Sequence, residues 1–441
     1  MTILSTVVQL LALWLFGAGV ASFAALLKGC FVLRQMTRSG HTYDPAPLLR
    51  SPLVPGVSVI AVPPDVSPES REYVQHLLEL HFGIYELIVV LDGPSETEMD
   101  TWRREFGLGL LTRDAVEDLP TAGVRGIYGS SRPNRLLVVD KKPGGEADAL
   151  NAGVNQASFP LIALIDRDSE FPPTILLRMV LPMLETPETI AVCGAGLETT
   201  PGGLAANLAA LESLRLWLVR CAAFAGYDAT VPTPGSALLI RHEAILKSGG
   251  FRTGPLELVL HLHGLARASG KPSHVVFIPD ALRCTRPTRS LKELRSRIAR
   301  DQMQIGLAWR RRKAIAGGLG AIGWGIPALL ATRCLRPLLE TAAYVLTAAG
   351  WLTGRIDSAL AGLILLTTAG MGMVVSMAAV TLRELAQRQG SDPTPLARLF
   401  FAAIPENLGY RQVRNLWLLA GLAKVGQASR PVLTQSPVPI D

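Results

Sequence analysis

Charge is scarce in this chain of 441 residues: Asp, Glu, Lys and Arg make up 18%, against 49% apolar residues. Mean hydropathy is +0.31. So little charge argues against an ordinary soluble enzyme, yet it is too much for a pure membrane bundle. A soluble domain carrying membrane segments fits both figures. Cysteine is scarce as well. The five thiols (Cys30, Cys193, Cys221, Cys284 and Cys334) are scattered, with no C-x-x-C and no Cys/His cluster. That pattern suggests neither a zinc site nor a disulfide framework, and it suits a reducing cytosol. No segment repeats at solenoid periods. Acidic residues fall short of basic ones, leaving a net charge of +7. The surplus does not point to nucleic acid. The cations gather beside apolar runs, at Lys28, Arg34 and Arg38 and again at Arg310, Arg311, Arg312 and Lys313. Anionic lipid headgroups are the expected contact there.

Residues 3–27 carry no formal charge, and about 20 apolar residues suffice to span a bilayer as a helix. A cleaved signal peptide would begin with Lys or Arg, which this run lacks. The positive charges follow it, which places the N-terminus outside and the next domain in the cytoplasm, at the inner or plasma membrane. The expected division is a transmembrane helix in 1–30, a cytoplasmic domain in 50–300, and interfacial and transmembrane helices in 301–441. Within the last part, 314–332 reads as an interfacial segment, 337–353 and 358–381 as spans, and the tail from Arg398 as a membrane-adherent helix pair. The internal acid Glu340 is expected at headgroup level or bonded to a neighbouring helix, so a transporter is a weak reading.

From about Pro55 to Pro287 short apolar runs alternate with helical patterns. VSVIAV (57–62), ELIVVLD (86–92), LLVVD (136–140), LIALID (161–166) and TIAVCGAG (189–196) read as buried strands. Residues 67–81 and 146–157 read as helices between them. The alternation predicts an α/β domain with a parallel or mixed sheet covered on both faces. Ligands of such sheets bind beyond the carboxyl ends of the strands. Asp166 and Asp168 stand at such an end, and paired hard oxygens there suit Mg²⁺ or Mn²⁺ on a diphosphate. A D-x-D by itself is ordinarily a solvated turn, so the surrounding motifs decide.

Those motifs occur in order: VVLDGPSE around Asp92, Lys142 through Gly153 (KPGGEADALNAG), Asp166-Arg167-Asp168-Ser169, GGF at 249–251, VFIPDALRCTRP, and IPENLGYRQVRNLWLLAGL. Together they resemble a family-2, GT-A-type membrane glycosyltransferase, the class of cellulose and hyaluronan synthases, over nearly the whole chain. The resemblance implies a nucleotide-sugar donor of UDP-sugar type. Asp92 and Asp148 would contact its nucleoside part, with Lys142 beside them. Asp168, with Asp166 nearby, would hold Mg²⁺ or Mn²⁺ on the diphosphate.

The same resemblance exposes departures. The family's Lys in GGKADALN is Glu146 here. Its general-base position falls on Gly254-Pro255, and neither residue can take a proton from an acceptor hydroxyl. Glu257 lies two residues on, roughly 200° around a helix, and is the substitute candidate. The family's Q-R-x-R-W corresponds to Ala299-Arg300-Asp301-Gln302-Met303, so Arg300 persists on the acceptor side without the tryptophan platform, and Trp309 lies six residues beyond. Two functions follow as expectations. One is metal-assisted inverting transfer of a sugar to a polysaccharide, lipid or other acceptor. The other is a catalytically silent homologue that partners an active synthase subunit or senses nucleotide-sugar.

Overall fold

The computed structural model describes residues 3–38, 54–112, 116–130, 135–167, 169–196, 203–268, 274–279, 284–285, 288, 290–310, 325–387 and 393–427. The chain opens with α1 (Ile3–Arg38), then alternates β1 (Val57–Ala61), α2 (Pro68–Leu78), β2 (Tyr85–Asp92) and α3 (Glu96–Phe106). Strands β3 (Leu108–Leu110), β4 (Val124–Ser130) and β5 (Arg135–Lys141) precede α4 (Glu146–Gln156). Next come β6 (Leu161–Ile165), β7 (Ser169–Glu170), α5 (Ile175–Glu185), β8 (Thr189–Ala195), and α6 (Leu204–Leu216) with its π-helical continuation Trp217–Ala223. The α/β part closes with β9 (Ser236–Arg241), α7 (His242–Lys247), α8 (Pro255–Ala268), β10 (His274–Ile278), β11 (Cys284–Thr285) and α9 (Leu291–Arg310). The helical remainder comprises α10 (Gly325–Leu330), α11 (Arg336–Leu352), α12 (Ser358–Leu365), α13 (Met371–Gln387), α14 (Pro393–Pro405) and α15 (Arg411–Gln427). Short π stretches join α10 to α11, α12 to α13 and α14 to α15.

Nine strands form one sheet in the order β10-β8-β9-β6-β1-β2-β5-β4-β3. The centre, β6-β1-β2-β5, is parallel. Strand β9 runs antiparallel between β6 and β8, and β4 runs antiparallel beside β5, so the sheet is mixed. All five strands expected from apolar runs are present, ending within about one residue of their predicted limits. They form because both faces are covered. Val57, Val59, Leu87, Val89 and Leu91 pack under α2, α3 and α5, while Ile60, Ile88 and Val90 pack under α4, α7 and α8. Alternation of side chains along each strand makes one apolar run serve two layers. Helix α3 starts at a reciprocal Ser95–Glu98 capping box and stops at Gly107 in the left-handed conformation, φ 62°.

Among the described residues, two helices are long and apolar enough to cross a membrane, Ile3–Met36 and Ser358–Glu384. The span expected at 337–353 is helical but is not one of them, and Arg336 and Glu340 stand in its first turns. Of the segment expected to lie at the interface, 314–324 falls outside the described residues, and the rest is helical. The tail forms a bent helix pair, broken by non-helical Leu408 and Gly409. Helix α1 packs against the π stretch after α6 and against α13, while α6 and α9 pack against α15. Helices α6 and α9 therefore bridge the sheet and the helical part.

Candidate functional site

The carboxyl ends of β1, β2, β5 and β6 lie side by side, and three of these strands end at or next to charged residues. Parallel register sets Asp92, the last residue of β2, opposite Lys141, the last of β5. Lys141 is fully buried, and its ammonium lies 2.5 Å from Asp92 Oδ1 and 2.5 Å from Asp148 Oδ1. Asp148 reaches the cluster from the first turn of α4. The N–H groups of Gly144 and Gly145 each donate to Asp92 at 2.8 Å, and Ala122 N–H donates to Asp148 Oδ2 at 3.0 Å. Partial burial works to raise the Asp92 carboxyl pKa, but the Lys141 ammonium and the two glycine N–H groups outweigh it and hold it below the usual carboxylate range. Asp92 and Asp148 keep 23% and 22% of their side-chain surface. Both are thus fixed in place while retaining acceptor capacity toward a ligand hydroxyl or N–H.

Lys142, the lysine singled out from the sequence, is exposed, and its carbonyl accepts from Lys141 Nζ at 2.7 Å. Lys141, the last residue of β5, faces the carboxylates, and Lys142, just past the strand, does not. The register opposite Asp92 was the signal that could have found Lys141.

Asp166 follows β6 directly. Its Oδ2 accepts from Gly235 N–H at 2.9 Å, and its carbonyl accepts from Ser169 N–H at 3.0 Å. Ser169 Oγ donates to the Gly235 carbonyl at 2.7 Å. Strand β7 pairs with β11, which sets Thr285 opposite Ser169. Asp166 and Ser169 are thereby held by two later segments of the chain. Asp168 lies outside the described residues. Glu146, at the start of α4, is open to water yet recessed in the cleft. That recess, together with the Asp166 carboxylate, pushes the Glu146 pKa up, while Arg300 on α9 pulls it down. Arg300 is exposed and within electrostatic reach of these carboxylates.

The GGF segment has a structural task. Phe251 N–H donates to Asn151 Oδ1 at 2.7 Å, and Asn151 Nδ2 donates back to the Phe251 carbonyl at 2.9 Å. A Cβ on Gly250 (φ 76°) would stand 2.6 Å from that same Oδ1. The asparagine of the ALNAG run and the glycine of GGF therefore lock α4 to the turn before α8.

Among the described residues, the positions expected on an acceptor side carry no exposed carboxylate. Gly254 (φ 156°) is buried, and Pro255 is the first residue of α8. Glu257 is 3% exposed, with Thr253 Oγ1 donating to it at 3.4 Å. Its side chain turns into the protein. Asp301, next to Arg300, is 5% exposed and contacts Arg220 at 2.7 Å and Arg333 at 3.0 Å. Burial works to raise the Asp301 pKa, and the two guanidinium groups overcome it and hold it low. Gln302 donates to the Arg333 carbonyl at 3.0 Å, and Met303 is 47% exposed. A cavity of about 40 Å³ lies among Gly196, Trp217, Thr233, Arg297, Asp301 and Arg333. It has room for a few water molecules and no more.

Residues 114–244 match the model of the family described as Glycosyl transferase family 2. The match contains Lys141, Asp148 and Asp166, and stops short of Gly254, Glu257 and Arg300. No curated protein matches the sequence. Among solved structures, the chain is similar to the mannosyltransferase PcManGT from Pyrobaculum calidifontis, in complex with GDP-Man and Mn²⁺. Identity is 17% over 93% of this chain and 100% of that one, with a TM-score of 0.56. S. aureus TarS (1–349) with UDP-GlcNAc aligns at 10% identity over 81% and 92% of the two chains, TM-score 0.36. Glucosyl-3-phosphoglycerate synthase from Mycobacterium tuberculosis, with phosphoglyceric acid, aligns at 15% identity over 62% and 85%, TM-score 0.38. The match to the glycosyltransferase family 2 model is thus confined to residues 114–244, and the mixed α/β sheet around that segment shares its fold with the mannosyltransferase structure.

Proposed function

We propose that the chain binds a nucleotide-sugar donor of UDP-sugar type at the carboxyl ends of β2, β5 and β6, on the cytoplasmic side of a membrane in which its apolar helices are embedded. The observation that carries the reading is the Asp92–Lys141–Asp148 cluster within hydrogen-bonded loops beside Asp166. Two partly exposed carboxylates fixed by a buried ammonium are suited to hydroxyl and N–H donors of a nucleoside. The resident cation would be Mg²⁺ or Mn²⁺, held by Asp166 with Asp168. The donor chemistry fits: Asp166 and the neighbouring Glu146 are hard oxygen groups. Among the described residues no group of three or more His, Cys, Asp or Glu is placed to hold a metal ion, so the protein would supply only one or two oxygens. An open oxygen set suits a cation that completes its shell with phosphate oxygens and water. When bound, it would offset diphosphate charge.

The chain's own groups would act around that donor. Asp92 and Asp148 orient the nucleoside, and Arg300 offers a cation on the opposite wall. Inverting transfer further requires removal of the acceptor hydroxyl's proton, and Gly254-Pro255 has no group for it. That observation favours a second reading, a catalytically silent homologue that partners an active synthase or senses nucleotide-sugar. UDP or GDP release from a panel of UDP-sugars and GDP-mannose, by protein in lipid, separates the two. Robust turnover that Glu257→Gln abolishes would make Glu257 the base, whereas donor binding with no turnover supports the silent homologue. For the topology, a cysteine placed at the partly exposed Ser130 is expected to resist labelling from the outer face of intact cells. Efficient labelling there would overturn the cytoplasmic placement.

A further inference from the structure

The junction between α6, α9 and the helical part holds an unusual amount of buried charge. Asp301 is shared by Arg220 and Arg333, and Glu212 by Arg333 and Arg414. Glu406 pairs with Arg215, and Ser376 donates to its other oxygen at 2.7 Å. Glu340 is engaged on both oxygens by Arg411, at 2.8 and 3.0 Å. Each carboxylate is therefore already committed. Six arginines, counting Arg336, stand against these four acids among the described residues.

Arg336 is the cation left over. It begins α11, and its Nη1 donates to Ser22 Oγ of α1 at 2.8 Å. Its Nε is shut off from water and has no hydrogen-bond partner among the described residues. Glu340, one turn along the helix, is held by Arg411, and the other charges within reach of Arg336 are Arg215, Arg411 and Arg414. A half-buried guanidinium whose Nε is shut off from water and whose charged neighbours are mostly arginines favours an anion, because the one acid within its reach is already paired with Arg411. Its planar fork matches phosphate oxygens. The exposed apolar surface of the two helices indicates where that phosphate comes from. Phe16 and Val20 on α1, Leu335 at the end of the preceding π stretch and Leu338 on α11 are 48%, 46%, 43% and 52% exposed. These apolar side chains suit acyl chains and would not suit a free ion's hydration shell.

We propose that Arg336, held in place by its contact with Ser22, binds the phosphate of an anionic lipid headgroup seated between α1 and α11. The inference rests on the membrane reading given above and is independent of the donor site. The full chain in neutral maltoside detergent tests it, with thermal midpoints read after adding phosphatidylglycerol, phosphatidylcholine or inorganic phosphate. Phosphatidylglycerol is expected to raise the midpoint by several degrees, since a ligand that binds only the folded state stabilises it. Phosphatidylcholine is expected to do markedly less and inorganic phosphate nothing. Arg336→Met should lose the response and Arg336→Lys keep part of it. Without lipid, Arg336→Met should be at least as stable as the parent, because it removes an uncompensated cation. An equal phosphatidylglycerol response in Arg336→Met would overturn the site, as would a clear loss of lipid-free stability. A full response to inorganic phosphate would overturn the lipid assignment. UDP binding, measured on the same preparations, should be unchanged in Arg336→Met; its absence from the parent protein would count against the donor reading and leave this site standing.

Discussion

Asp92 and Asp148 on one side of the cleft, and Asp301 on the other, all rest against buried cations. Their surroundings differ. The first two keep 23% and 22% of their side-chain surface in contact with solvent, while Asp301 keeps 5%. Around Lys141 the backbone N–H groups fix the carboxylates and leave them reachable. Around Asp301, Arg220 and Arg333 consume the carboxylate, and Glu212 takes up the remaining reach of Arg333. The difference teaches what separates a site from a brace. Both are charged, but only the Lys141 cluster can take on a ligand without first breaking an ion pair. Around Asp301 the polar residues join helices together, and the position expected from the sequence to do chemistry is a glycine and a proline.

Restoring chemistry to the acceptor side is the strongest way to break this contrast. A positioned base contributes about 10²–10⁴-fold in rate, which bounds what Pro255→Asp can add to UDP release. Proline at the first helical position can be replaced without disturbing α8. The adjacent Gly254→Glu is a poorer choice, because a φ of 156° disfavours any side chain there. A gain below the lower bound is expected, since Met303 offers no aromatic platform.

The brace is tested by Asp301→Asn, which leaves Arg220 without its acid and Arg333 with only Glu212. A loss of about 3 kcal/mol is expected from breaking a buried pair, read as a lower thermal midpoint, with UDP binding retained in the folded fraction. Loss of binding at unchanged stability would move Asp301 from brace to site.

A smaller effect is expected at the paired lysines. Lys141→Met should cost on the order of 2 kcal/mol, at the mild end for a buried ion because both acids reach water, and should abolish nucleotide binding. Lys142→Met should stay within about 0.5 kcal/mol, as exposed substitutions do. Equal effects would mean that the strand register of β5 is wrong.

Weakest of all is the acid response of Asp92. Its folded pKa is depressed, so its contribution to stability is complete above the unfolded value of about 4. It falls away as pH drops below that value and through the folded pKa. Asp92→Asn should flatten the loss of stability below about pH 4 and leave stability at neutral pH lower than in the parent.

Much of the fold was legible because its central strands are buried on both faces and read as unbroken apolar runs. Strands β4, β9 and β10 were not. VRGIYGS has two glycines and a half-exposed pattern, and SALLIR runs straight into helix α7. Antiparallel insertion of β9 between β6 and β8 depends on pairing across about 70 residues, which local patterning does not carry. Asp92, Asp148 and Asp166 were legible because strand ends and a motif order marked them. Lys141 was not, since adjacent lysines look alike until a register chooses between them. The buried arginine–carboxylate brace was invisible in the sequence. Its members stand between residues 212 and 414 and meet only through helix packing.

Calorimetric titration of UDP into the purified full chain with Mn²⁺, repeated with EDTA and with Asp166→Ala, tests the central claim most directly. Saturable binding that is lost in EDTA and weakened in the variant is the result expected of an organised donor site. No binding in Mn²⁺, or equal affinity in all three titrations, would contradict it.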